Sequence, residues 1–205
     1  MTIANLLFSP DAKTAVLAIN SEAVSPEGVK GACMEPKWRY HDGLKMLMGL
    51  SGDVRILSVF ENAVRIGVEE GYMAATAFDG MKDWLAEMWH QLSADPDKAP
   101  ASSEIVLFLA APVDGRLRAV VYHVSDVGVQ VIELAPGQCA QMPSIRELRG
   151  AEPGCHDGIR MLATLQRRLA PSYEGPTFPA AGELLLASLN VNGLTTETIP
   201  EAAWA

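Results

Sequence analysis

Residues 36–61, PKWRYHDGLKMLMGLSGDVRILSVFE, decide the fold of this chain. Lys37 opens a short strand, and Asp42-Gly43 supplies tight-turn chemistry. A second apolar strand occupies residues 44–48 and runs into Gly49-Leu50-Ser51-Gly52-Asp53. Directly after that bend the apolar residues take up helical spacing. Strand, turn, strand, glycine bend and helix bring a lysine close to backbone N–H groups that glycine leaves approachable.

N-terminal to this stretch, residues 3–8 and 14–20 are apolar runs separated by Ser9-Pro10-Asp11-Ala12-Lys13, a hairpin pattern. A polar loop with Pro26, Gly28 and Gly31 joins the two hairpins. C-terminal to it, Ile56, Val59, Phe60, Ala63, Val64 and Gly67 predict one helix, with Gly71 as its stop. Phe78, Met81, Leu85, Met88, Trp89 and Leu92 predict a second, with Thr76-Ala77-Phe78-Asp79 as a capping box. Residues 93–103 form a Pro/Ala/Ser loop within one domain.

Strands at 105–110, 117–123 and 129–134, turned by Asp114-Gly115 and Asp126-Val127-Gly128, make an antiparallel meander. Pro136-Gly137 ends it, and residues 138–152 leave room for one more short strand. Asp157 caps a third helix carrying Ile159, Leu162, Leu165 and Leu169. A Pro-rich loop at 171–179 precedes a final hairpin, 183–189 and 194–199, turned by Asn190-Val191-Asn192-Gly193. Strand pairs joined by tight turns are antiparallel, and helices in blocks lie across sheet faces. The expected architecture is α+β: a four-layer α/β/β/α sandwich of two antiparallel sheets, one domain over residues 1–205.

Composition narrows the partners. Of 205 residues, 49% are apolar and 20% charged, enough for a substantial core. The net charge of −9 disfavours nucleic acid and anionic membranes as partners. Three cysteines without a CxxC pair argue for reduced thiols and a cytoplasmic setting. The N-terminal segment lacks the basic region of a signal peptide, and no apolar run is long enough to span a bilayer.

Four features together resemble the proteasome β-subunit family of N-terminal nucleophile hydrolases, which includes bacterial proteasome-like threonine peptidases. Thr2-Ile3-Ala4 follows Met1. The first hairpin ends in polar Asn20-Ser21-Glu22. Lys37 starts the third strand, and Gly49-Leu50-Ser51-Gly52-Asp53 links the fourth strand to the first long helix. The resemblance implies the sandwich fold, threonine-dependent amide hydrolysis without metal or organic cofactor, and assembly into a homo-oligomeric ring. It implies Thr2 as nucleophile, Lys37 as its electrostatic partner and the Gly49 backbone as oxyanion donor. The residue supporting Lys37 is Asn20, or Glu22 with a shift of the alignment. Ser144 and Ser172 stand near the family's later helper serines.

The residues make chemical sense of this. A threonine hydroxyl needs a group to take its proton, and a free α-amine, with a pKa of about 8, suits neutral pH. An ammonium nearby tunes both groups, and a backbone N–H meets the oxyanion. The substrate implied is a peptide or small amide; an unfoldase partner is left undefined. Two rival readings stand beside this one: an inactive proteasome-like subunit serving assembly or binding, and a stand-alone small-substrate amidase.

Other residues have plainer readings. Ser51 reads as a helix N-cap and Asp53 as a first-turn acid. Cys155-His156-Asp157 reads as a helix start, since neighbours in sequence rarely converge into a nucleophile set. His41, His90, His123 and His156 have no ligand spacing. Trp84, Met88 and Trp89 read as core or subunit contact, and Arg167-Arg168 as charges suited to a helix C-terminus.

Overall fold

Among the described residues ten short runs form strands, and these pair into two separate antiparallel sheets. The computed structural model describes residues 2–21, 36–53, 55–71, 73–95, 100, 103–148, 150–169 and 182–204. The expected loop with Pro26, Gly28 and Gly31, the Pro-rich loop at 171–179, and Met1, Glu22, Cys33 and Ser172 lie outside the described residues.

The first sheet has the order β10-β9-β2-β1-β8, built from β1 (Ala4–Phe8), β2 (Thr14–Asn20), β8 (Cys139–Met142), β9 (Leu184–Asn190) and β10 (Gly193–Ile199). The second has the order β3-β4-β5-β6-β7, from β3 (Trp38–His41), β4 (Met46–Ser51), β5 (Glu104–Val113), β6 (Arg116–Ser125) and β7 (Gly128–Glu133). Helices α1 (Arg55–Glu69) and α2 (Ala74–Ala94) cover the second sheet; α3 (His156–Leu169) and the short α4 (Glu201–Trp204) cover the first.

Three apolar layers follow from the period-two alternation of the strands. Met46, Met48 and Leu50 of β4 pack under α1 and α2 with Phe60, Phe78 and Leu85. Leu6, Leu17, Ile19, Phe108 and Val121 fill the space between the sheets. Leu7, Val16, Leu184 and Leu186 meet Ile159 and Ala163 of α3 and Trp204 of α4. This is the α+β four-layer sandwich expected from the order of elements.

Local details differ from expectation in instructive ways. The Asp42-Gly43 turn is a short 3-10 segment (Asp42–Leu44) whose start is held by His41 Nδ1 accepting from the Leu44 N–H, so β4 begins two residues later than expected. Helix α2 starts at Ala74, and its N-cap Met73 makes no side-chain cap; the capping box expected at Thr76–Asp79 lies inside the helix. Asp157 sits in the first turn of α3 rather than before it. Helix α4 escapes the sequence reading. It is too short for periodicity to register, yet Trp204 is buried, donates from Nε1 to Gly182 O at 3.0 Å and stacks under Arg167 at 4.5 Å.

Gly49 explains how closely the sheets approach. A Cβ built there would lie 2.7 Å from Leu17 Cδ2 of the facing sheet, so Leu17 rests on the β4 backbone and any side chain at 49 would push it aside.

Candidate functional site

The site forms where the first sheet's β1 begins and β2 ends, opposite the start of β3. Asn20 is the last residue of β2 and is wholly buried. Its N–H donates to Ile3 O at 3.1 Å, and its side-chain Oδ1 accepts from the Ile3 N–H at 2.8 Å. Ile3 is therefore clamped by one residue at both of its backbone polar groups. Lys37 Nζ donates to the same Asn20 Oδ1 at 3.4 Å, and Lys37 is only 2% exposed. One amide oxygen thus ties the chain directly after Thr2 to a buried ammonium on the other sheet.

Thr2 itself is half-buried and precedes β1. Asn20 contributes a dipole rather than a counter-charge, which distinguishes this node from a lysine–carboxylate pair.

The Lys37 backbone anchors the second half of the site. Its carbonyl accepts the Leu50 N–H at 2.8 Å, which joins the start of β3 to the end of β4. In a strand, successive N–H groups point to opposite sides. Leu50 donates towards β3, so the Gly49 N–H points towards β5, where Gly49 faces Phe108 in the ladder. Gly49 is thus a mid-strand residue, not the bend that the spacing suggested.

The bend is Gly52. Its φ is +118°, and a Cβ there would sit 2.8 Å from Ile105 Cγ2 and 3.0 Å from Glu104 O. Both backbone conformation and space exclude a side chain. Ser51, just before it, ends β4 and is buried.

Asp53 rather than Ser51 serves the start of α1: its Oδ1 accepts the Arg55 N–H at 3.1 Å, and its carboxylate pairs with the Arg55 guanidinium. The correction has a simple cause, since Ser51 is still inside the sheet.

Of the residues singled out, the structure brings together Asn20, Lys37 and the chain following Thr2, with the Gly52 bend one hydrogen-bonded step beyond Lys37. Ser144 lies exposed two residues past the end of β8, whose Met142 pairs with Ala4 of β1. The Cys155–Asp157 run is a helix start: Cys155 is exposed, its carbonyl accepts the Ile159 N–H at 3.1 Å, and His156 faces Glu197 of β10 at 3.7 Å. His123 pairs with Glu104 at 2.8 Å. Among the described residues no group of three or more His, Cys, Asp or Glu is arranged to hold a metal ion.

Sequence reasoning missed a second buried polar set. Asn5 of β1 donates from Nδ2 to Gln166 Oε1 at 2.6 Å, and Gln166 Nε2 donates to Pro143 O at 2.9 Å. Both side chains are fully buried, and among the described residues Asn5 Oδ1 has no partner. The available signal was an asparagine interrupting the apolar run ANLLF.

No protein-family model and no curated protein matches the sequence. Solved structures do share its fold. Anbu from Hyphomicrobium sp. strain MC1, as a Gly-1 mutant, superposes with a TM-score of 0.67 at 11% identity, covering 98% of this chain and 87% of that one. Anbu from Yersinia bercovieri, described as an ancestral β-subunit, gives 0.65 at 12% identity, covering 98% and 88%. At these identities the likeness is one of fold.

Proposed function

We propose that this chain is a threonine-dependent amide hydrolase of the proteasome β-subunit type, acting on peptides in a cytoplasmic homo-oligomeric ring, as a single domain. The observation that carries the reading is the shared Asn20 Oδ1, which accepts from both the Ile3 N–H and Lys37 Nζ. It holds the residue after Thr2 against a buried lysine.

In the proposed reaction Met1 is first removed, leaving Thr2 with a free amine. The Thr2 hydroxyl attacks the scissile carbonyl while the α-amine takes its proton. Lys37 stabilises the negative charge that develops on the threonine oxygen. The oxyanion is met by a backbone N–H at Gly52, which replaces Gly49 in this role because the Gly49 N–H faces β5. The amine product leaves with the proton held by the Thr2 amine, giving an acyl ester on Thr2. Water activated by the same amine then hydrolyses the ester and restores the threonine.

Apolar side chains on the outer helix faces support association between copies. Val59 and Ile66 on α1 are 44% and 48% exposed, and Met161 on α3 is 64% exposed.

The test is intact-mass analysis of the protein purified from its native cell, combined with turnover of fluorogenic peptides. Expected are a chain beginning at Thr2 and turnover lost in Thr2→Ala. Retained Met1 in the cell, or unchanged turnover in Thr2→Ala, overturns the reading.

A second reading, an inactive proteasome-like subunit, draws on Asn20 itself, since an amide gives Lys37 no counter-charge. Turnover by the pure protein rejects it. A stand-alone amidase is rejected if light scattering gives the mass of a closed ring.

A further inference from the structure

The two sheets part along the side where β7 and β8 are the edge strands. Among the described residues each of these strands bonds to one neighbour, β6 and β1 respectively. Between them lies a cavity of about 530 Å³, a size typical of sites for small ligands or side chains. Its deep wall is apolar, formed by Phe108, Val121, Leu134 and Met142. Ile132, 49% exposed, carries the apolar surface out to the mouth. The polar end holds Glu152 and Glu104, the latter already paired with the cavity-lining His123 at 2.8 Å, and no Lys or Arg lines the cavity among the described residues.

The cleft borders the candidate site at two points. Glu104 borders the Gly52 bend, whose missing Cβ would sit 3.0 Å from Glu104 O. Met142 pairs with Ala4, two residues after Thr2, and Ser144 beyond it also lines the cleft. A peptide laid across Thr2 extends to both sides of it. Lys37 occupies the β2–β3 side; the cleft opens on the β8 side.

We propose that this cleft recognises one flank of an extended peptide substrate. It seats a large apolar side chain between the sheets, with an adjacent basic side chain held against Glu104 and Glu152. The proposal rests on the hydrolase reading for its meaning as a substrate site. An apolar slot beside the two edge strands of the described sheets suits an extended chain, whose alternate side chains point the same way. The two carboxylates fix the sign of charge next to the apolar anchor.

The experiment uses the full chain and internally quenched peptides scanned at each position on both sides of the scissile bond. One flank should show at least a tenfold gain in kcat/KM for Leu or Phe next to Lys or Arg over the same peptide with Glu in place of the basic residue. Ala140→Leu, which narrows the cleft from β8, and Glu152→Lys, a change at its rim, should each erase that preference and leave the other flank's preference intact. Absence of any such preference in the wild type, or its survival in both variants, overturns the proposal.

Binding separates this failure from failure of the hydrolase reading. A fluorescein-labelled peptide carrying the Leu-Lys pair is titrated by anisotropy against the wild type, against each variant, and against Thr2→Ala, which cannot cleave it. Binding weakened at least tenfold by either cleft variant, without turnover in the wild type, removes the hydrolase reading and keeps the cleft. Equal binding by all forms removes the cleft whatever the turnover. Should Ala140→Leu fail to fold, Glu152→Lys carries the test alone.

Discussion

Asn5 and Asn20 lie on adjacent strands of one sheet, both with no solvent exposure, and they do opposite work. Asn5 faces a neutral amide, Gln166, and among the described residues keeps one oxygen unpartnered. Asn20 spends a single oxygen on a backbone N–H and a lysine ammonium. Burying an amide is expensive in either case unless it is hydrogen-bonded. The first set joins β1 to α3 and to the chain after β8, which is structural work. The second gathers a cation and the start of the chain from two different sheets, which is the kind of convergence that chemistry requires.

The contrast predicts its own breaking points. Lys37→Met keeps much of the buried side chain's length and removes the charge. On the proposed hydrolase reading, peptide turnover should fall by about 100-fold or more, the usual scale for losing one electrostatic contributor at a reacting centre. Gln166→Leu should leave kcat within about twofold. Comparable losses of kcat in the two variants would mean that the two polar sets are not functionally distinct.

Asn20 separates position from charge. Asn20→Ala leaves the Ile3 N–H without its acceptor and the Lys37 ammonium without this oxygen, a change expected to destabilise by about 2–4 kcal/mol in denaturant unfolding. Asn20→Asp instead places a carboxylate against the ammonium, which lowers the carboxyl pKa in the folded state. The resulting stability should be present above the unfolded carboxyl value of about 4 and lost as pH falls through the lower folded value. A midpoint of thermal unfolding that is higher than wild type at pH 7 and no longer higher at pH 3 is the expected pattern. A lower midpoint at pH 7 would show that the node tolerates only a neutral partner.

Asn5 and Gln166 form a cycle of their own. Gln166→Leu alone orphans Asn5 Nδ2 and Pro143 O, costing about 1–3 kcal/mol. Asn5→Leu combined with it should cost less than the two single changes added together, with a coupling of about 0.5 kcal/mol or more. Strict additivity would mean that the 2.6 Å contact between the two amides contributes nothing.

Much of this organisation was legible before any coordinates. Apolar runs and turn chemistry identified the central strands because those are buried on both faces and read as near-continuous apolar stretches, as in β1 and β4. The Lys37 and Asn20 positions were legible because polar residues at strand ends stand out against apolar runs. Gly49 and Gly52 were harder to tell apart. Both are glycines of one bend-like string, and only pairing shows that Leu17 needs the first and positive φ needs the second. Asn5 was overlooked because its partner, Gln166, lies 161 residues away on a helix, beyond the reach of any local pattern. The lateral cleft was equally hidden, since its walls come from four strands and a loop.

A further modest effect lies away from both asparagines. Burial pushes the Tyr122 hydroxyl up to about 12 and the Cys139 thiol up to about 12. In each case the folded state holds its proton more tightly than the unfolded chain. Their stabilising contribution is complete below the unfolded values of about 8.5 for the thiol and 10 for the phenol. It should decline as pH rises from there towards 12. Tyr122→Phe should remove the phenol's share of that alkaline decline. The same change takes away the donor to Phe78 O at 3.2 Å, lowering stability at neutral pH by about 1 kcal/mol. Urea unfolding at pH 8 and pH 11 measures both effects. An alkaline decline of equal size in wild type and Tyr122→Phe would mean that the phenol contributes none of it, and would turn attention from the α1/α2 core to the cleft thiol.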